Sequence, residues 1–236
     1  MIKVIASGSS GNCYLLETKK ETLILECGIH EKKIIQALDY KLDKVVGCLT
    51  THSHKDHCKS IMALRGKGID IYLSKGTKEE IGIDDYRVNV VEHNKSFNVG
   101  GFTVIPFDGV HTHNNGEKCP ILNYLIYHEE LGKILFITDS YYVKNRFQNI
   151  DHILIECNYS EEVLPSLPPW RYRTIKSHMS LQTLKSTLST WNLEETKDIT
   201  LIHISGENGN PLQFQKEIEE LTGIKTYIAE PGLIIN

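Results

Sequence analysis

The stretch Leu49-Thr50-Thr51-His52-Ser53-His54-Lys55-Asp56-His57 packs three imidazoles and one carboxylate into its last six residues. It follows an apolar run, Val45 to Leu49, that reads as a strand, and it precedes a helical pattern. Side chains of an extended segment alternate between faces, so His52 and His54 point the same way and can bind one metal together. Asp56 and His57 fall where the chain turns into the helix and can swing toward a second metal. Imidazole nitrogen and carboxylate oxygen suit Zn²⁺, Mn²⁺ or Fe. The plainer reading is a solvated, histidine-rich turn. So many ligand-type residues at a strand end argue against it.

Holding such a cluster takes a scaffold, and 236 residues are ample for a sizeable core. The apolar segments are short and β-rich. Strands are expected near 2–6, 13–18, 22–26, 45–50, 70–73, 88–92, 102–107, 121–128, 133–138, 152–156, 199–203 and 225–229. Helical patterns fall near 30–39, 56–65, 76–81, 180–190 and 211–222. The last begins well, since Asn210 can cap it and Pro211 suits its first turn. Strand pairs come first, then strands alternating with helices. That order predicts an α/β fold in which sheets pack on each other with helices outside, an αββα sandwich. No internal repeat or low-complexity tract is visible. The nearest thing to a linker is 161–178, with Pro165, Pro168, Pro169 and Trp170. It is short and reads as a loop over a site, so a single domain over 1–236 is expected.

Apolar residues make up 40% of the chain and charged residues 24%, ordinary for a soluble globular protein. The net charge of −4, from 26 Lys+Arg against 30 Asp+Glu, predicts no strong non-specific grip on nucleic acid. It leaves room for a local basic rim. Of the six cysteines, at 13, 27, 48, 58, 119 and 157, no pair has C-x-x-C spacing. Free thiols in a reducing cytoplasm are therefore expected. Residues 1–6 are too short an apolar start for a signal peptide, and no run of about eighteen apolar residues occurs, so no membrane span is expected. The sequence sets no oligomeric state.

The spacing His-x-His-x-Asp-His resembles the signature of the metallo-β-lactamase superfamily, and the resemblance reaches further. Ala6-Ser7-Gly8-Ser9-Ser10-Gly11-Asn12-Cys13-Tyr14-Leu15-Leu16 resembles the opening of the YycJ/WalJ-like exonucleases and their relatives. Leu23-Ile24-Leu25-Glu26-Cys27-Gly28 resembles the strand and glycine turn that follow, with Glu26 where that family usually has Asp. The position lies outside the family's usual ligand set. The resemblance implies the metallo-β-lactamase four-layer αββα sandwich, two mixed β-sheets flanked by helices. It also implies two divalent metal ions per chain, Zn²⁺ or Mn²⁺, with Fe a further option.

Later segments extend the match residue by residue. Phe107-Asp108-Gly109-Val110-His111 resembles the segment bringing the third histidine of the first metal. His113 competes two residues on, and the same-face criterion does not separate the two. The family context of apolar strand, Asp, then His favours His111, although Thr112 stands where Asp is usual. Ile134-Leu135-Phe136-Ile137-Thr138-Asp139-Ser140 resembles the strand ending in the bridging carboxylate. Alone, Asp139 would read as an Asx turn or a helix cap. Thr200-Leu201-Ile202-His203-Ile204-Ser205 resembles the last ligand segment, although a lone histidine after a strand is more often simply packed or exposed. The implied set is His52, His54 and His111 on one metal, Asp56, His57 and His203 on the other, and Asp139 shared.

Ser177-His178-Met179-Ser180 resembles the Gly-His-Leu-Ser segment of YycJ-like and PhnP-like phosphodiesterases, whose histidine faces the scissile phosphate. Imidazole titrates near neutral pH and can donate a proton to a leaving oxygen. The plainer reading packs His178 beneath the loop. Residues 7–12 lack the Walker lysine and a following helix, so they read as a tight hairpin near the metals, with Ser10 and Asn12 able to face substrate. Asn208 and Asn210 would support the site at most.

Two metals held this way lower the pKa of a bridging water toward ~7, polarise the substrate oxygen and hold the reacting oxygens in line. In that scheme Asp139 orients the bridging hydroxide and His178 assists the leaving group. The fold alone does not choose a substrate. Histidine in place of cysteine in the ligand set, the Ser-Gly-Ser-Ser-Gly-Asn opening and His178 all favour phosphodiesters. The expected activity is metal-dependent hydrolysis of ester bonds, as a phosphodiesterase or nuclease like the DNA exonucleases, with DNA or another phosphodiester as substrate. A PhnP-like cyclic phosphodiesterase is the alternative within that class, but the cysteines lack the spacing of its structural zinc. A thioester or lactone hydrolase is the alternative outside it.

Overall fold

The computed structural model describes residues 1–113, 115–168 and 175–236. Two mixed seven-stranded sheets organise it. In the first, β1 (Ile2–Ala6), β2 (Cys13–Glu17) and β3 (Thr22–Leu25) are antiparallel, and β4 (Val45–Leu49), β5 (Ile71–Leu73) and β6 (Val88–Val90) continue in parallel from β3. In the second, β7 (Phe97–Val99), β8 (Phe102–Asp108), β11 (Leu122–His128) and β12 (Gly132–Ile137) are antiparallel. From β12, β13 (His152–Glu156), β14 (Asp198–Ile202) and β15 (Lys225–Ile228) continue in parallel. β9 (His111–Thr112) and β10 (Lys118–Cys119) make a short antiparallel ribbon, and β16 (Ile234–Ile235) flanks β1.

The layers follow from strands that are apolar on both faces. Along β12, Ile134 and Phe136 join the cluster between the sheets. Leu135 and Ile137 point the other way, into a cluster with Leu184 and Phe214 of helices Leu181–Leu188 and Pro211–Thr222. Along β3, Leu23 and Leu25 face inward, while Ile24 packs with Ile34, Ile61 and Leu64 of helices Glu31–Ala37 and Ile61–Gly66. The result is the expected αββα sandwich.

The sequence and the structure differ in detail. The helical pattern over 56–65 is two helices, Lys55–Cys58 and Ile61–Gly66. They break at Ser60, whose N–H and hydroxyl donate to the Cys27 and Ile29 carbonyls. Strands β7, β9, β10 and β16 have two or three residues each, too few for periodicity to reveal. Within 161–178 a 3₁₀ helix spans Glu161–Ser166; Pro169 and Trp170 lie outside the described residues. Asn210 caps the helix that Pro211 opens, as its sequence indicates. Among the described residues no helix is long and apolar enough to cross a membrane.

Apart from His178, the candidate site residues follow the carboxyl ends of strands. β3 delivers Glu26, β4 runs into residues 50–57, β8 leads to His111, β12 to Asp139 and β14 to His203. Open α/β sheets commonly bind ligands at such ends. The two sheets are joined there, since His203 N–H donates to Ser7 Oγ at 2.9 Å and Leu122 N–H to the Thr51 carbonyl at 3.1 Å.

Candidate metal centre

The donor atoms of His52, His54, His111 and Asp139 all lie within 4.8 Å of one another. His52 Nε2 and His111 Nε2 are each 3.7 Å from Asp139 Oδ2, and His111 Nε2 is 3.3 Å from His54 Nδ1. Neighbouring acceptors set the tautomers. The Ser177 carbonyl is 3.1 Å from His111 Nδ1, so that nitrogen carries the proton and Nε2 presents a lone pair to the cluster. For His54 the order is set from outside. Glu80 Oε1 is 3.0 Å from His113 Nε2, and His113 Nδ1 is 3.0 Å from His54 Nε2. A carboxylate only accepts, so the protons point outward along this chain and His54 Nδ1 is left bare toward His111. His52 Nε2 is buried with no hydrogen-bond partner. Bare nitrogens converging in a buried site are costly unless a cation satisfies them. These four residues therefore fit a divalent metal, with the nitrogen and oxygen donors that Zn²⁺ accepts.

Asp56, His57 and His203 form a second group. Asp56 Oδ2 is 3.3 Å from both His57 Nε2 and His203 Nε2. Asp139 Oδ1 is 3.4 Å from His57 Nε2 and 3.3 Å from His203 Nδ1. Asp139 thus turns Oδ2 to one group and Oδ1 to the other, and the other six residues expected to bind metal are brought together around it. Glu26, Asp139 and His203 hold left-handed backbone, with φ of 62°, 45° and 51°. Such conformations cost about 1–3 kcal/mol each and persist where the surroundings over-determine them.

Glu156, which the sequence reading passed over, links the second group to His178. Its Oε1 is 2.7 Å from His178 Nδ1 and 3.0 Å from His203 Nδ1. Its Oε2 accepts the N–H groups of Ser140 and Met179, each at 3.1 Å. Met179 is buried in the outer core and Ser180 caps the next helix, so the local sequence decides where His178 stands. The His178 ring stacks on His203 at 5.4 Å, and 15% of its side chain is exposed. A signal for Glu156 was present: like Asp139, it is an acid closing a run of buried strand residues.

Other residues brace the centre. Glu26 is fully buried, accepts from the Thr51 hydroxyl and N–H, and sits 3.3 Å behind His57 Nδ1. Burial and ion-pair distance agree there, but the angle is not that of a hydrogen bond. Asn12 is buried, its Nδ2 3.3 Å from His57 Nε2, so it faces the cluster, whereas Ser10 is exposed. Asn208 bonds to Ser205 and Asn210 caps its helix. Gly28 is required by close approach: a Cβ there would overlap the Asp56 carbonyl.

Electrostatics divide the imidazoles into two classes. Burial holds His52 well below the usual imidazole range, lowers His54, and pushes His111 down to about 4. Neutral imidazoles are the form that binds metals. Burial also opposes charge on His57 and His203. There the carboxylates outweigh it, Asp139 and Glu26 raising His57, and Asp139, Asp56 and Glu156 pushing His203 up to about 10. Burial would raise Asp139 and Asp56, but the facing histidines hold both below the usual carboxylate range. Imidazolium protons thus balance the buried carboxylates, a charge that divalent cations would also supply. His178 is raised in the same way, with Glu156 and then Asp139 overcoming its burial.

A family model described as "Beta-lactamase superfamily domain" matches residues 29–204. The exodeoxyribonuclease WalJ of Streptococcus pneumoniae serotype 2 is 28% identical over 225 residues, covering 87% of this chain and 81% of the relative. The exodeoxyribonuclease YycJ of Bacillus anthracis is 24% identical over 220 residues, with coverage of 87% and 82%. Among solved structures, the metallo-β-lactamase fold protein YhfI from Bacillus subtilis superposes with a TM-score of 0.76 at 18% identity, covering 98% of this chain and 97% of that one. At that identity the likeness is one of fold.

Proposed function

The chain belongs to the metallo-β-lactamase superfamily, and on that premise we propose that it is a two-metal phosphodiesterase with DNA as its leading substrate. The whole chain, 1–236, is read as one domain of this kind. His52, His54 and His111 would hold one divalent ion, and Asp56, His57 and His203 the other, with Asp139 between them. Zn²⁺ and Mn²⁺ both suit these donors. When bound, such ions supply Lewis acidity and make a nucleophile available near neutral pH.

The observation that carries the phosphodiester reading is the 2.7 Å contact between Glu156 Oε1 and His178 Nδ1. Glu156 receives the Nδ1 proton's hydrogen bond and favours the charged ring. The Nε2 proton has no acceptor among the described residues and is available to a leaving oxygen. A sugar alkoxide needs that proton to depart, whereas a thiolate does not. The likeness to two exodeoxyribonucleases supports DNA as the polymer.

The test is turnover by purified protein, reconstituted with Zn²⁺ or Mn²⁺, on 5′- and 3′-labelled DNA, bis(p-nitrophenyl) phosphate, a thioester and a lactone. Phosphodiester hydrolysis that a chelator abolishes and metal restores is the expected result. Rapid thioester or lactone hydrolysis without phosphodiester turnover would overturn the proposal.

A further inference from the structure

His111 also lines a groove of about 490 Å³, so the groove abuts the candidate metal centre at that residue. The volume lies within the roughly 300–1,000 Å³ of ligand sites. Lys118, on the β9–β10 ribbon opposite Thr112, lines it with Tyr142 and Lys144. The tyrosine segment is tied to the His111 loop, since Tyr141 N–H donates to the Val110 carbonyl at 2.9 Å. Both lysines are exposed, and neither enters an ion pair among the described residues. The acid in the groove, Asp108, has His93 Nδ1 3.3 Å from its Oδ1, but that nitrogen accepts the Asp108 N–H at 3.2 Å and so offers the carboxylate no proton. Two cations without an ion pair therefore meet one carboxylate, a local positive balance in a chain whose net charge is −4. Tyr142 is 37% exposed and meets Tyr141 edge-on at 5.8 Å, leaving ring surface open.

We propose that this groove binds a single-stranded polynucleotide beside the metal centre, with Lys118 and Lys144 on backbone phosphates and Tyr142 stacked on a base. Such lysines make the sequence-independent, salt-sensitive contacts of phosphate binding. An exposed aromatic ring among cations is the pairing that grips unstacked bases, and each stacked base strengthens binding by about fivefold or more. A duplex keeps its bases stacked and offers Tyr142 no free ring face. The inference deepens the phosphodiesterase reading and rests on it for the reaction that follows binding, though binding itself needs no turnover.

The experiment separates the two. Fluorescence anisotropy of a labelled single-stranded 12-mer, titrated with full-length protein in chelator, reads the groove alone. Wild type should bind more tightly to the single strand than to the matching duplex. Lys118→Ala/Lys144→Ala should weaken binding at least tenfold and reduce the slope of log affinity against log salt by about 1.4, near 0.7 per lost phosphate contact. Lys118→Arg/Lys144→Arg should retain wild-type binding, and Tyr142→Ala should weaken it about fivefold or more. Wild type that fails to bind, prefers duplex, or is matched by these alanine variants overturns the groove. Failure of the metal-loaded wild type to hydrolyse bis(p-nitrophenyl) phosphate would instead count against the phosphodiesterase reading, leaving the binding result to stand by itself.

Discussion

His113 Nδ1 stands 3.0 Å from His54 Nε2, while His111 Nε2 lies 3.3 Å from the opposite ring nitrogen, His54 Nδ1. Two histidines separated by one residue thus hold opposite sides of a third. His111 shares the buried space around Asp139, and His113 hands the chain of hydrogen bonds on to Glu80.

That arrangement separates the two by metal binding. His111→Ala should remove one ion, read by metal analysis after reconstitution and desalting. His113→Ala should keep the stoichiometry but weaken affinity about 10–100-fold in chelator competition, because it removes the partner that orients His54. Loss of an ion from His113→Ala but not from His111→Ala would reverse the assignment.

The Glu156–His178 contact predicts a leaving-group effect. His178→Ala should slow DNA hydrolysis by ~10²–10⁴-fold with metal content unchanged. The deficit should shrink on p-nitrophenyl esters, whose leaving group departs without a proton. Glu156 and Asp139 raise the His178 pKa against its burial. A general acid works only while protonated, so Glu156→Gln should move the alkaline limb of the rate profile to lower pH. An unmoved limb, or one displaced upward, would remove His178 from this role. A histidine that merely packs would show the same deficit with every leaving group, together with a lower melting temperature.

Glu26 should act on the second ion without touching it. Glu26→Ala strips the Thr51 hydroxyl of its acceptor and His57 Nδ1 of its facing carboxylate. Stability should fall by about 1–3 kcal/mol in denaturant melts. The weaker of two binding steps in a metal titration should lose about 10–100-fold. Unchanged metal affinity alongside lowered stability would leave Glu26 a purely structural role.

Gly28→Ala should damage fold and site together. The new Cβ would have to displace the Asp56–His57 backbone, at a cost of about 3 kcal/mol or more, and the turn that moves carries both side chains. Gly66→Ala is the control, since a Cβ there meets nothing within 4 Å and adds to a helix. Comparable loss in both variants, by soluble yield and melting temperature, would remove the clash as the cause.

The sequence by itself determined whatever is local or periodic. His52 through His57 are neighbours on one strand-to-helix turn, so their shared destination follows from chain geometry alone. Unbroken apolar runs such as Ile134 to Ile137 announced strands, and the order of strands and helices announced the layers. The tertiary structure decided what depends on partners far along the chain. His111 and His113 are alike in sequence. They are told apart by the Ser177 carbonyl, 66 residues from one, and by Glu80, 33 residues from the other. Glu156 and Glu26 each close a strand-like run in the sequence, but their partners come only with folding, which surrounds one with His178 and His203 and the other with Thr51 and His57. The reason is physical. Periodicity records which face of an element is dry, while the protonation and role of a buried polar group are set by the few atoms that fold against it, and these leave no periodic trace in the chain.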